Sequence, residues 1–323
     1  MLQYNKIQLA NKAKKLCVVR DTLEKVIRLS EILKFFSINE TFNNSLALKG
    51  GTAINLLFFN LPRLSVDIDM DFCLDISKDD MLLYREKINK QLLKFMYSQG
   101  YILSGKSKNY HSLDSLVFDY TNSAMIKDNI KIEINYSLRE HVLPIEKIEL
   151  KNDAVDDIFL VNTVNPIEIY ATKTVALLTR NAPRDLYDLN YMIVNKFLSD
   201  NELDLYHKCV IFYFAIATEN PIMEINFNSI DNITPHKIKT SLVPVVRDRD
   251  AFKLEDAKNT VINFIKNNIN ISDSDLAFLS EFKNGNYRPE LLFNDEKHLN
   301  NIRKHPMAIW KITKNKNIFN RKS

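Results

Sequence analysis

Between Val66 and Leu74 apolar and polar side chains alternate: Val66, Ile68, Met70 and Phe72 fall on one side, Asp67, Asp69 and Asp71 on the other. A period of two predicts a half-buried strand whose open face is acidic. Just upstream, Leu46 to Lys49 reads as a short apolar strand running into Gly50-Gly51-Thr52. Ala53 to Phe59 then reads as a helix opening from that turn, with Pro62 ending it. Over residues 18 to 37 the spacing of Val18, Leu23, Val26, Ile27, Leu29, Ile32, Leu33 and Phe36 predicts an amphipathic helix. Met81 to Gln99 is helical in pattern, and Gly100 suits its C-terminal cap. Ser115 to Tyr120 and Ile130 to Tyr136 read as two further strands. Beyond Pro166 the texture turns helical: Pro166 to Arg180, Leu186 to Phe197, Glu202 to Ala217, Leu254 to Asn267 and Ser274 to Phe282. The pattern predicts an α+β fold, with residues 1–160 as an α/β domain and 161–323 as a helical domain.

Composition narrows the class. The chain has 323 residues, of which 46% are hydrophobic and 26% charged, as expected of a globular protein rather than a disordered or fibrous one. No run approaches the roughly 20 apolar residues of a membrane span, and Met1 to Lys15 lacks the apolar segment of an export signal. Cys17, Cys73 and Cys209 lie far apart with no CxxC pair, which points to a reducing cytoplasm and away from zinc or disulfides. A net charge of +4 permits an anionic partner without demanding one. Glycine is scarce: of five in the chain, Gly50 and Gly51 are adjacent, which suggests special backbone geometry there.

The candidate chemistry starts at the acidic strand. Two residues along a strand advance about 6.6 Å and return to the same face, so Asp67 and Asp69 can share one metal cluster. Oxygen donors of this kind suit Mg²⁺, which usually brings substrate phosphates with it. A solvated edge strand would carry the same pattern. An EF-hand loop is excluded, because its sixth and twelfth positions, which need Gly and Glu, hold Phe72 and Lys78. Gly50-Gly51-Thr52 sits between strand and helix, where backbone N–H groups can cradle phosphate oxygens; it is also the sequence of a plain tight turn. It is neither a P-loop nor a dinucleotide fingerprint. Glu133, between Ile132 and Ile134, is either a third carboxylate for two metal ions or a surface glutamate paired with Lys131. Lys173 and Arg180, seven residues apart on one helical face, are candidate triphosphate ligands. In the stretch after Arg180, Arg184 and Asp188 have i,i+4 spacing for a helix pair, while Asp185 is either a cap or a functional acid. Lys237, Lys239, Arg247 and Arg249, and the tail with Lys311, Lys314, Lys316, Arg321 and Lys322, suit either an RNA backbone or a solvated surface. His305 and Trp310 read as packing residues.

Together these segments resemble a known family. Lys49-Gly50-Gly51-Thr52-Ala53-Ile54-Asn55-Leu56 followed by Arg63-Leu64-Ser65-Val66-Asp67-Ile68-Asp69 resembles the signature of the AbiEii/AbiGii (abortive infection) nucleotidyltransferase toxins. The likeness continues through Ile132-Glu133-Ile134-Asn135, then Lys173, Arg180 and Arg184-Asp185-Leu186-Tyr187-Asp188-Leu189. It ends in Pro289-Glu290-Leu291-Leu292-Phe293 and His305-Pro306-Met307-Ala308-Ile309-Trp310-Lys311. The resemblance implies a DNA polymerase β-like nucleotidyltransferase fold with a helical C-terminal lobe completing the active-site cleft. It assigns Gly50, Gly51, Thr52, Ser65, Lys173 and Arg180 to the nucleotide and Asp67 and Asp69 to metal. Asp67, Asp69, Lys173 and Asp185 then make up the catalytic centre. Thr52 stands where related nucleotidyltransferases usually have Ser. Family members are toxins of toxin–antitoxin or phage-defence pairs, with NTP as substrate. Some add nucleotides to the 3′ end of tRNA and block translation, and the usual partner is a winged-helix antitoxin. Transfer to a protein or small-molecule hydroxyl, and nucleotide or RNA binding without catalysis, are the alternatives.

Overall fold

The computed structural model describes residues 4–218, 225–247 and 252–319, the last four of these as backbone. Two compact units emerge: Met1–Arg139 with Ile145–Val164 and Pro244–Ala251, and Glu140–Pro144 with Asn165–Val243 and Phe252–Ser323.

The first unit opens with three helices, α1 (Lys6–Leu16), α2 (Arg20–Ile38) and α3 (Glu40–Ser45). α1 was not evident in the sequence pattern. It is set by a capping box, in which Asn5 accepts from the Gln8 N–H and Gln8 reaches back to the Asn5 N–H, and it ends on left-handed Cys17. α2 covers the span predicted for it and buries Leu23, Val26, Ile27, Leu29, Ile32, Leu33 and Phe36.

An eight-stranded mixed sheet follows. Its strands are β1 (Leu46–Leu48), β2 (Asp67–Phe72), β3 (Ile102–Leu103), β4 (Lys108–Asn109), β5 (Leu113–Thr121), β6 (Lys127–Asn135), β7 (Glu146–Leu150) and β8 (Phe159–Thr163). The order is β3-β5-β6-β2-β1-β8-β7, with β4 beside β5. β2 runs parallel to β6 and β1 parallel to β8, while the remaining pairs are antiparallel. Ile68, Met70 and Phe72 of β2 and Ile130, Ile132 and Ile134 of β6 are all buried, which anchors both central strands in the core. Between β2 and β3 lies α5 (Lys78–Ser98), capped by Ser77 through the Asp80 N–H. It terminates at Gly100, whose φ of +81° is the left-handed geometry glycine takes most easily.

The helix expected over Ala53 to Phe59 differs in detail. The glycines themselves form its first turn, α4 (Gly50–Ala53), and Ile54–Phe58 widens into a π-helical turn. Pro244–Ala251 also belongs to this unit, where the Leu64 N–H donates to the Val245 carbonyl (2.6 Å).

The second unit is helical: α6 (Pro166–Thr179), α7 (Pro183–Val194), α8 (Leu203–Ala217), α9 (Asn228–Asp231), α10 (Pro235–Lys237), α11 (Leu254–Asn268), α12 (Asp273–Lys283), α13 (Glu296–Ile302) and α14 (Pro306–Phe319). α6 begins with Asn165 as cap and Pro166 in the first turn, and packs on α8; α7 packs on α11. Fully buried Glu168 of α6 accepts the N–H groups of Val142 (2.9 Å) and Leu143 (2.8 Å) and the Tyr213 hydroxyl, which ties the 140–144 segment to this unit. Burial pushes the Glu168 carboxyl pKa up. Among the described residues no helix is long and apolar enough to cross a membrane.

Candidate active site

β2 carries the predicted acids in the register that matters. Asp67 lies opposite Lys131 and Asp69 opposite Glu133 on parallel β6, so the four side chains form a square on one face of the sheet. Strand spacing of about 4.8 Å and a two-residue rise of about 6.6 Å set the dimensions of that square. Ile68 and Ile132, on the opposite face, are fully buried and fix which way the acids point.

Asp71 departs from the open acidic face that alternation predicts. It is 1% exposed, and the Lys49 ammonium holds it at 2.5 Å. Burial next to a lysine removes it from the accessible set and leaves Asp67 and Asp69, both half-buried, at the surface.

The double glycine abuts these acids. The Lys49 N–H donates to the Asp69 carbonyl (2.9 Å), which pins the turn to β2. Gly50 has a φ of +68°, and a Cβ added to it would sit 2.9 Å from Asp69 Oδ2. Two independent constraints therefore demand glycine: the backbone conformation and the approach of a carboxylate. Gly50→Ala is expected to lose about 1–2 kcal/mol from the backbone alone, and more from displacing Asp69. A urea titration and an activity assay check this, with loss of both stability and transfer expected.

The remaining motif residues serve the turn. Thr52 and Ser65 share a hydrogen bond between hydroxyls (2.7 Å), and the Thr52 hydroxyl also donates to the Asp67 carbonyl. Thr52 is fully buried, so its side chain acts here as a tie to the acidic strand. Asn55, which spacing alone did not single out, completes the tie. Its amide donates to the Gly51 carbonyl (2.8 Å) and its Oδ1 accepts the Arg63 N–H (3.2 Å).

In the second unit, Lys173 on α6 is buried with its ammonium between Asp185 (2.9 Å) and Asp188 (3.0 Å) of α7. Arg180 Nε donates to the other oxygen of Asp185 (2.9 Å) and leaves most of its side chain in solvent. Asp185 is not the helix cap; Ala182 holds that position without a side-chain bond. Asp188, expected to pair with Arg184, grips Lys173, while Arg184 Nε donates to the Ser241 carbonyl (2.9 Å). Two carboxylates converging on one buried ammonium, with an exposed guanidinium beside them, make a charge-balanced cluster that fixes both cations in place.

The profile of the nucleotidyl transferase AbiEii toxins of type IV toxin–antitoxin systems matches residues 35–265, well over half the chain. The chain belongs to the AbiEii family. It is a nucleotidyltransferase, and the family is that of the toxin component of such systems. Among solved structures, MenT4, a nucleotidyltransferase toxin from Mycobacterium tuberculosis H37Rv, superposes with a TM-score of 0.64 at 14% identity, covering 95% of this chain and 99% of that one. That likeness establishes the nucleotidyltransferase fold. The comparison with curated proteins gives no match.

Nucleotidyl transfer in the AbiEii family raises the question of a divalent cation, and the donor set can be tested for it. Asp67, Asp69 and Glu133 offer the hard oxygen ligands that Mg²⁺ takes, on adjacent strands and one face. Gly50 leaves open the space in front of Asp69 that any other residue would fill. The chemistry fits. The set is not closed into a cage: Glu133 is bonded to Lys131 (2.8 Å), and among the described residues no three acids, histidines or cysteines are drawn together as metal ligands.

The basic clusters are less open than their sequence suggests. Arg247 is 7% exposed and faces Asp153 at 3.7 Å, and Lys311 is buried. Arg249, Arg321 and Lys322 lie outside the described residues, as does the side chain of Lys316. Of the two residues expected to pack, His305 is fully buried edge-on to Phe212, but Trp310 is 54% exposed with Lys314 over its ring. On α14 Trp310 falls on the outward side because Ala308 and Lys311 occupy the inward one.

Proposed function

We propose that this toxin moves a nucleoside monophosphate from an NTP to the 3′ end of tRNA, releasing pyrophosphate and so blocking translation. The observation that supports this best is the square of Asp67, Asp69, Glu133 and Lys131 beside a glycine turn. Mg²⁺, two ions in the full assembly, would be held by Asp67, Asp69 and Glu133 and would neutralise charge on the triphosphate. The residues of the chain do the rest. Asp67 and Asp69 orient the reacting phosphate, and one of them accepts the proton of the attacking hydroxyl. The acceptor oxygen bonds to the α-phosphorus as the α–β bridging oxygen leaves with pyrophosphate. Gly50 and Gly51 present backbone N–H groups to the phosphates, with Thr52 and Ser65 holding that turn in place. Lys173, set by Asp185 and Asp188, and Arg180 bind the triphosphate.

A cognate antitoxin, winged-helix in type, completes the system, whose role is phage defence in the cytoplasm. The three separate free cysteines accord with that reducing compartment. Incubation with Mg²⁺, each labelled NTP in turn and total tRNA tests the reading. Label confined to the tRNA 3′ end supports it. Label on a protein or a small molecule moves the acceptor elsewhere and overturns the tRNA assignment.

A further inference from the structure

Lys131 stands at the fourth corner of the acidic square, an unexpected place for a cation if the other three corners are metal ligands. It faces Asp67 across the strand pair and bonds Glu133 on its own strand at 2.8 Å. Its side chain is 37% exposed, and that of Glu133 27%. Partial burial works against its charge, yet the bond to Glu133 and the fields of Glu133, Asp67 and Asp69 outweigh that and raise its pKa. All three proposed ligands therefore act on this one ammonium.

We propose that Lys131 is a latch on the acidic site, whose ion pair with Glu133 competes with a divalent cation for the same carboxylate and so sets the metal affinity. The proposal rests on the metal reading of Asp67 and Asp69 given above. Its physics is simple. An exposed pair of this kind shifts an equilibrium only about two- to fivefold, so the latch yields to a divalent ion rather than excluding it. A flexible lysine can swing its point charge into solvent when released, which a planar, bidentate arginine does less readily. Release also moves a positive charge away from the incoming ion, and at these separations that repulsion adds to the effect. The consequence is a site whose affinity for the bare ion is lowered but not abolished by the pair.

The test reads metal binding directly, with Mn²⁺ as the probe and the paramagnetic signal of the free ion as the measure. Each variant of the full chain is first checked for folding by circular dichroism. Lys131→Met is expected to bind Mn²⁺ about tenfold more tightly than the unsubstituted protein. Lys131→Arg, which keeps the pair, should bind no more tightly than the unsubstituted protein. On the Glu133→Gln background, measured against that single variant, Lys131→Met should give only a small part of the gain, because the latch acts through Glu133. Persistence of the full gain on that background would show plain charge repulsion and overturn the latch. Unchanged or weaker binding by Lys131→Met, with Asp67→Asn still abolishing binding, overturns the latch alone. If Asp67→Asn binds Mn²⁺ as well as the unsubstituted protein, the metal reading of the strand fails and the latch fails with it.

Discussion

Asp67→Asn and Asp69→Asn are each expected to lower nucleotidyl transfer about a thousandfold or more while leaving the fold intact. The size follows from their position. Partners that only orient a metal ligand are typically worth about 10- to 100-fold, and a ligand on the acidic face itself is worth more. The stability half of the expectation follows from the same square. Asn preserves the volume of Asp, both sites are half-buried rather than enclosed, and removing one of several like charges relieves repulsion. Changes away from core features usually stay within about 0.5 kcal/mol, so the melting temperature should hold within about 2 °C. Growth arrest on expression should disappear in parallel. Unfolding of either variant would show that the carboxylates are structural, and transfer at an undiminished rate would remove them from the chemistry.

Lys173→Ala is expected to cost stability as well as activity, unlike the strand variants. Its ammonium is the shared partner of Asp185 and Asp188, and all three side chains are buried. Removing the cation takes the shared ammonium from two buried carboxylates, of which Asp185 keeps its bond to Arg180, a loss of roughly 3–5 kcal/mol and a fall in melting temperature on the order of 10 °C. NTP dependence should weaken more than acceptor binding. A triple variant, Lys173→Met with Asp185→Asn and Asp188→Asn, separates the two roles, since it removes both carboxylate charges as well as the ammonium. It should recover most of the stability and none of the transfer. Recovery of transfer in that variant would place the whole cluster outside the chemistry.

Some of this molecule was written in local order. Alternation from Val66 to Phe72 fixed a strand and which of its faces is acidic, because a period of two leaves no other solution when one face is buried. The 3.6-residue period located α2, α5, α6, α7, α8, α11 and α12 but not α14, and doubled glycine marked a turn that approaches a carboxylate. The motifs carried the family. α1 escaped because its buried residues, Leu9, Ala13 and Leu16, are sparse among lysines, although the Asn5–Gln8 capping box was there to be seen. β7 and β8 escaped because strands of five residues carry little periodicity of their own.

Pairing was the property that no local pattern held. That β6 lies parallel to β2 with Glu133 opposite Asp69 and Lys131 facing Asp67 follows from strand register across some 64 residues of chain, and that Lys49 claims Asp71 follows from a contact 22 residues apart. Asp188 likewise acquired a role with Lys173 that its neighbours in sequence did not suggest. Periodicity reports how one segment meets the core. Which charges meet each other depends on how segments distant in sequence are brought into register, and that is decided by burial summed over the whole sheet and helical unit rather than by any residue's neighbours.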